Sequence, residues 1–103
     1  MKYEKLFQKG KIGKLELPNR VVMTAMGTML GDWNGCSTPE QVRFYEERAK
    51  GGCGLIIPEF TSVDPDSGHC NRIQLGIYDA RQIRSIEDIC DAVHRHGSKI
   101  FVQ

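Results

Sequence analysis

The histidines and cysteines of this 103-residue chain, the side chains most suited to ligate a metal or attack a substrate, are poorly spaced for a self-contained site. The three histidines are His69, His94 and His96. His94 and His96 fall in a helical stretch. At i and i+2 their side chains leave a helix about 200° apart, so they do not converge on one ion. Beside Arg95 in a last turn they suit the negative end of the helix dipole. His69 shares a stretch of turn formers with Asp64, Asp66 and Cys70, which reads as a solvated loop. The four cysteines, Cys36, Cys53, Cys70 and Cys90, form no C-x-x-C. A zinc or iron–sulfur site within this stretch is not expected. They read as reduced thiols, with Cys90 buried in a helix face. Glu59 and Arg20, near strand ends, read as a structural ion pair. No metal ligand and no catalytic acid is expected here.

Backbone and amide groups offer more. "GGCG", Gly51 to Gly54, lies between a helix and a strand. A dinucleotide loop needs the opposite order, so that helix N–H groups face phosphate. These glycines read as a helix C-cap. The expected strand C-termini are "TAMGT", "PEFTS" and "FVQ". In α/β architectures ligands collect at those ends. The first supplies backbone N–H and C=O groups around Ala25, Met26 and Gly27. The second supplies Phe60, an apolar wall. The third supplies the carboxamide of Gln103, which donates and accepts at once and suits a heterocycle with adjacent C=O and N–H groups, such as a flavin pyrimidine.

The elements that must position these groups are legible in the pattern. Ile12 and Leu15 flank Gly13-Lys14, a pair suited to a type II′ hairpin turn. Arg20 to Met26 is a β-prone run, and Gly27 to Ser37 a loop. Thr38, Pro39 and Gln41 open a helix with an S/T-x-x-E/Q capping box. Val42, Tyr45 and Ala49 give it one apolar face. "GLIIPEF" is a strand buried on both faces, ended by Pro58. Asp79 and Gln82 open a second helix with the stripe Ile83, Ile86, Cys90 and Val93. Gly97 ends it, and "SKIFVQ" is the next strand. The order is hairpin, β, α, β, α, β, which predicts an α/β fold with right-handed crossovers and a parallel sheet. Three such strands leave open edges, so the chain reads as the first part of a longer one.

Hydrophobic content of 40% and charged content of 26% describe a globular chain. A net charge of +1, with both signs interspersed, gives no footprint for nucleic acid or an anionic membrane. No apolar run approaches the roughly 20 residues of a membrane span, and the charged start lacks a signal-peptide block. A cytoplasmic protein is the expectation.

Three stretches, "LFQKGKIGKLELPNRVVMTAMGT", "FYEERAKGGCGLIIPEFTSV" and "DAVHRHGSKIFVQ", resemble the N-terminal part of the Old Yellow Enzyme family of FMN-dependent oxidoreductases. "NRVVMTAMGT" and "YEERAKGG" look closest to its NADH:flavin oxidoreductase and 2,4-dienoyl-CoA reductase branch. The resemblance implies that residues 1–103 are the hairpin plus βαβαβ of a (β/α)8 TIM barrel whose remainder lies outside this chain. It implies hydride transfer from NADH or NADPH through FMN to an activated alkene, an enone or enoyl thioester, in a homo-oligomer. It implies that Ala25, Met26, Gly27, Phe60 and Gln103 contact FMN. It leaves open an iron–sulfur cluster and FAD in a C-terminal part. Gly27 stands where many members have Cys or Thr, and Phe60 where they have a smaller residue. An L-x-H-x-G-R-like segment is expected after Gln103. The alternative is an inactive fragment that self-associates through its strand edges.

Overall fold

The computed structural model describes residues 2–103. A short helix α1 (Glu4–Phe7) leads into the hairpin β1 (Gly10–Ile12) and β2 (Leu15–Leu17). The two-residue link pairs Ile12 with Leu15, and Gly13 has φ 56° while Lys14 keeps an ordinary φ, as a type II′ turn requires. Then come β3 (Val22–Met23), α2 (Pro39–Lys50), β4 (Leu55–Ile56), α3 (Ala80–His94) and β5 (Lys99–Ile100). The sheet runs β3-β4-β5 in chain order, and both pairings are parallel.

Register decides which side chains meet the helices. Met23, Ile56 and Ile100 lie in one row; Val22, Leu55 and Lys99 lie in the next. Strand side chains alternate between faces. The first row joins Tyr45, Ala49, Leu75, Ile89 and Val93 in the core. Helices α2 and α3 pack on each other as well as over this row, so both cover the same face. The opposite face keeps Leu55 at 2% exposure but leaves Val22 at 41%. One helix-covered face with strands in sequential order is the arrangement of a barrel arc.

Local chemistry explains the helix boundaries. Thr38 Oγ1 accepts the Gln41 N–H at 3.2 Å, with Pro39 at the first position where no N–H is needed. Asp79 accepts the Arg81 N–H at 2.8 Å and caps α3. Gly52, at φ 101°, turns the chain out of α2 in the left-handed region glycine enters without penalty. "GGCG" is thus a helix exit.

Three expectations need correction, and one element had none. The Arg20–Met26 strand has ladder partners only at Val22 and Met23; from Thr24 to Met26 the chain has no neighbouring strand. Neither glutamine closes its capping box. The Gln41 amide reaches Thr28 instead, and the Gln82 amide holds Asn34 O and Tyr78 N. The buried stripe of α3 is Gln82, Ile86, Ile89 and Val93, with Ala92. Ile83 is 47% exposed and Cys90 only half-buried, because packing against α2 rotates the helix away from the expected face. Helix α1, opened by Tyr3 at φ 75°, had no periodic signal.

The rotation has a measurable consequence. In the whole protein, Ile89→Ala removes a side chain with 0% exposure and costs about 2–5 kcal/mol. Ile83→Ala costs about 0.5 kcal/mol or less. Denaturant unfolding of the two variants checks the order.

Candidate functional site

The three parallel strands deliver their C-terminal ends to one edge. Beyond β3 the chain passes through Thr24 to Gly27. No N–H or C=O of Ala25, Met26 or Gly27 enters a hydrogen bond among the described residues. Ala25 is half-buried, and Met26 is 64% exposed. Beyond β4, the Ile57 N–H bonds Met23 O at 2.8 Å, and the Glu59 N–H bonds the Tyr45 phenol oxygen at 2.8 Å. Phe60 then turns toward Gly27: a Cβ on Gly27 would stand 3.2 Å from Phe60 Cζ. Beyond β5, Phe101 N–H bonds Ile56 O at 3.1 Å, and Gln103 O accepts the Thr61 N–H at 2.8 Å. The five expected site residues therefore lie along one edge. Gly27 touches Phe60, and Gln103 is tied to the residue after it.

Behind this edge lies a polar cluster absent from the expectations. Glu59 is 2% exposed, and its Oε2 accepts both the Thr28 N–H at 2.7 Å and the Thr28 hydroxyl at 2.5 Å. Gln41, fully buried, donates Nε2–H to Thr28 Oγ1 at 3.1 Å. The expected Glu59–Arg20 ion pair does not form. Arg20 instead donates to Lys9 O at 3.5 Å at the other end of the sheet. A charge at each end of antiparallel neighbours would meet; in parallel strands Arg20 and Glu59 stand at opposite ends. The sequence signal that could have exposed the cluster is an acidic residue directly after an apolar strand and a proline.

The other titratable groups stand apart. Glu46 accepts from Arg95 at 2.9 Å and lies 3.1 Å from His96 Nε2. The His96 contact holds its carboxyl below the usual range, with Arg95 assisting. This is a link between α2 and the end of α3, since the helix closes at His94. His69 and Tyr78 meet at 3.4 Å in an exposed loop. All four cysteines are free thiols, and burial raises the Cys90 pKa. No helix among the described residues is long and apolar enough to cross a membrane.

A concavity of about 540 Å³ lies at the opposite end, between the hairpin and Val22. Of the polar groups lining it, Lys9 pairs with Glu16 at 2.8 Å and Arg20 donates to Lys9 O. The strand C-termini, with backbone groups still open, are the better ligand edge. The donor set there fits a flavin: open main-chain groups over Ala25–Gly27, a planar apolar wall at Phe60 and a carboxamide on Gln103.

Residues 5–103 match the NADH:flavin oxidoreductase / NADH oxidase family, and the chain belongs to that family. It is 38% identical over 101 residues to an NADH oxidase of Thermoanaerobacter brockii, covering 98% of this chain and 16% of that protein. It is 40% identical over 104 residues to the N,N-dimethylglycine/sarcosine dehydrogenase of Chromohalobacter salexigens, covering 100% and 15%. Among solved structures it superposes on the old yellow enzyme of Pichia sp. AKU4542 with a TM-score of 0.89 and 32% identity, covering 96% of this chain and 25% of that one. Morphinone reductase in complex with tetrahydroNAD gives 0.86 at 31% identity, covering 95% and 26%. The chain thus spans about a sixth of those two curated relatives.

Two measurements test the packing behind the edge. Burial pushes the Tyr45 phenol from 10.0 up to about 12. The fold favours the neutral form, so this stabilisation is complete below pH 10 and is lost as pH rises toward 12. Tyr45→Phe removes that alkaline slope and, by orphaning the Glu59 N–H, costs about 1–3 kcal/mol at neutral pH; unfolding against pH measures both. Gly27→Val collides with Phe60 and lowers stability, and adding Phe60→Ala recovers about 1 kcal/mol in a double-mutant cycle.

Proposed function

We propose that this chain is the opening arc of a (β/α)8 barrel, and that the whole protein is an FMN-dependent NAD(P)H oxidoreductase acting on activated alkenes such as enones or enoyl thioesters. The observation that carries the reading is the gathering of Ala25, Met26, Gly27, Phe60 and Gln103 on one edge, with the main-chain groups of the first three unsatisfied. Family membership supports the same cofactor. Bound FMN would supply the redox chemistry, taking a hydride from NADH or NADPH and passing it to the alkene.

The protein's own part is binding and orientation. Main-chain groups at Ala25–Gly27 would line the flavin and hold it without a charged side chain. The Gln103 carboxamide would donate to and accept from the pyrimidine edge, fixing the ring's rotation. Phe60, packed on Gly27, would exclude water from one margin and narrow the pocket where a smaller side chain would leave it open. With glycine at position 27, no side-chain donor stands there.

The reading extends to further modules beyond the barrel, an iron–sulfur cluster and FAD among them, supported by the length of the two curated relatives. Free thiols at Cys36, Cys53, Cys70 and Cys90 support a reducing, cytoplasmic setting, and homo-oligomerisation belongs to the same proposal.

The test is direct. The whole protein, purified, should carry or take up FMN, and anaerobic NADH or NADPH should bleach the flavin band, which an enone then restores. Gln103→Ala should raise the FMN Kd about fivefold, the equivalent of a hydrogen bond worth about 1 kcal/mol. A protein that takes up no FMN would end this reading.

A further inference from the structure

We infer that Thr28 and Glu59 form a buried clamp that positions the Ala25–Met29 segment for the flavin; the inference rests on the functional reading above. Glu59 is 2% exposed, yet no lysine or arginine pairs with it among the described residues. A buried carboxylate without a counter-ion is costly unless hydrogen bonds satisfy it. The two donors to Glu59 Oε2 both come from Thr28, its N–H and its hydroxyl.

That arrangement dictates the rest. Having given its single proton to Glu59, Thr28 Oγ1 is left only to accept, and it does so from Gln41 Nε2 at 3.1 Å and from the Leu30 N–H at 3.2 Å. The Gln41 amide is thereby held in one orientation, with its Oε1 buried and unpartnered. Thr38 closes the ring by donating to Leu30 O at 2.6 Å. Between these anchors Met29 sits at φ 59°, a left-handed conformation that is strained for a residue with a side chain and persists only where its surroundings enforce it.

The segment has no other hydrogen bond among the described residues. Beyond Met23 it has no ladder partner, and its main-chain groups at Ala25, Met26 and Gly27 bond nothing. The clamp is what holds them in place from behind, at the residue next to Gly27. Thr28 and Glu59 are therefore positioning residues that act on the flavin edge through the backbone. Such a clamp keeps the open groups pre-oriented, so that ligand binding does not have to order them.

Three versions of the whole protein test this. Thr28→Val deletes Oγ1 while keeping shape and the N–H; Thr28→Ser retains it; Glu59→Leu removes the acceptor of both Thr28 donors. Thr28→Val should raise the FMN Kd about tenfold by fluorescence titration and, in the apoprotein, speed amide exchange at Thr28 and Leu30, whose N–H groups the clamp holds. Thr28→Ser should stay within about twofold of the parent in both. Should Thr28→Val fail to fold, Glu59→Leu carries the comparison, with the same rise in Kd expected. A variant without the clamp that binds FMN with the parent's Kd overturns the inference, whatever its Tm. So does a Kd loss equal in the Ser and Val variants. If the unsubstituted protein takes up no FMN, the functional reading falls first and this inference with it, while amide exchange still reports whether the clamp restrains the segment.

Discussion

Parallel pairing of β3, β4 and β5 is the constraint on which the rest of the structure depends. It sends three strand ends to one edge and three strand starts to the other. Every helix must then return the chain across the sheet, and here both return over the same face. Residues far apart in sequence, such as Gly27 and Phe60 or Thr61 and Gln103, become neighbours only because of this. The same pairing keeps Arg20 and Glu59 apart. Each therefore finds other partners, Arg20 at the hairpin end and Glu59 behind the C-terminal ends of the strands.

The edge is built from two materials with different jobs. Apolar packing of Tyr45, Ile56, Ile89 and Val93 holds the helices to the sheet. It gives no direction to individual backbone groups. Directed bonds do that, and they gather where the ladder has ended: Thr28 on Glu59, Gln41 on Thr28, Thr38 on Leu30. Tyr45 belongs to both, with its ring in the core and its phenol oxygen accepting the Glu59 N–H. A buried polar network of this kind is costly in part, as the orphaned Gln41 oxygen shows. It persists where a segment must be held in a conformation the strand alone would not enforce.

Membership of the NADH:flavin oxidoreductase / NADH oxidase family accords with this division. The chain spans 25% of the Pichia old yellow enzyme it superposes on. The three-stranded sheet has one finished layer, the helix-covered face. On the other face Val22 is 41% exposed, and Phe101, just beyond β5, is 37% exposed.

Much was determined by the sequence alone, because the signals are local. A glycine at a two-residue turn makes the hairpin, Thr38-Pro39 and Asp79 start helices, and an unbroken apolar run makes a strand buried on both faces. Their alternation requires parallel pairing. The five edge residues follow from where the strands end. What only the tertiary structure decided involves partners distant in sequence. The apolar positions of α3 admit more than one face, and contact with α2 selects Ile89 over Ile83. Capping glutamines have a local partner within reach, and burial gave Gln41 and Gln82 stronger claims elsewhere. The carboxylate of Glu59 lies 31 positions from the threonine that satisfies it. No periodicity encodes such a bond; it exists because folding removes water from both groups and leaves each as the other's available partner.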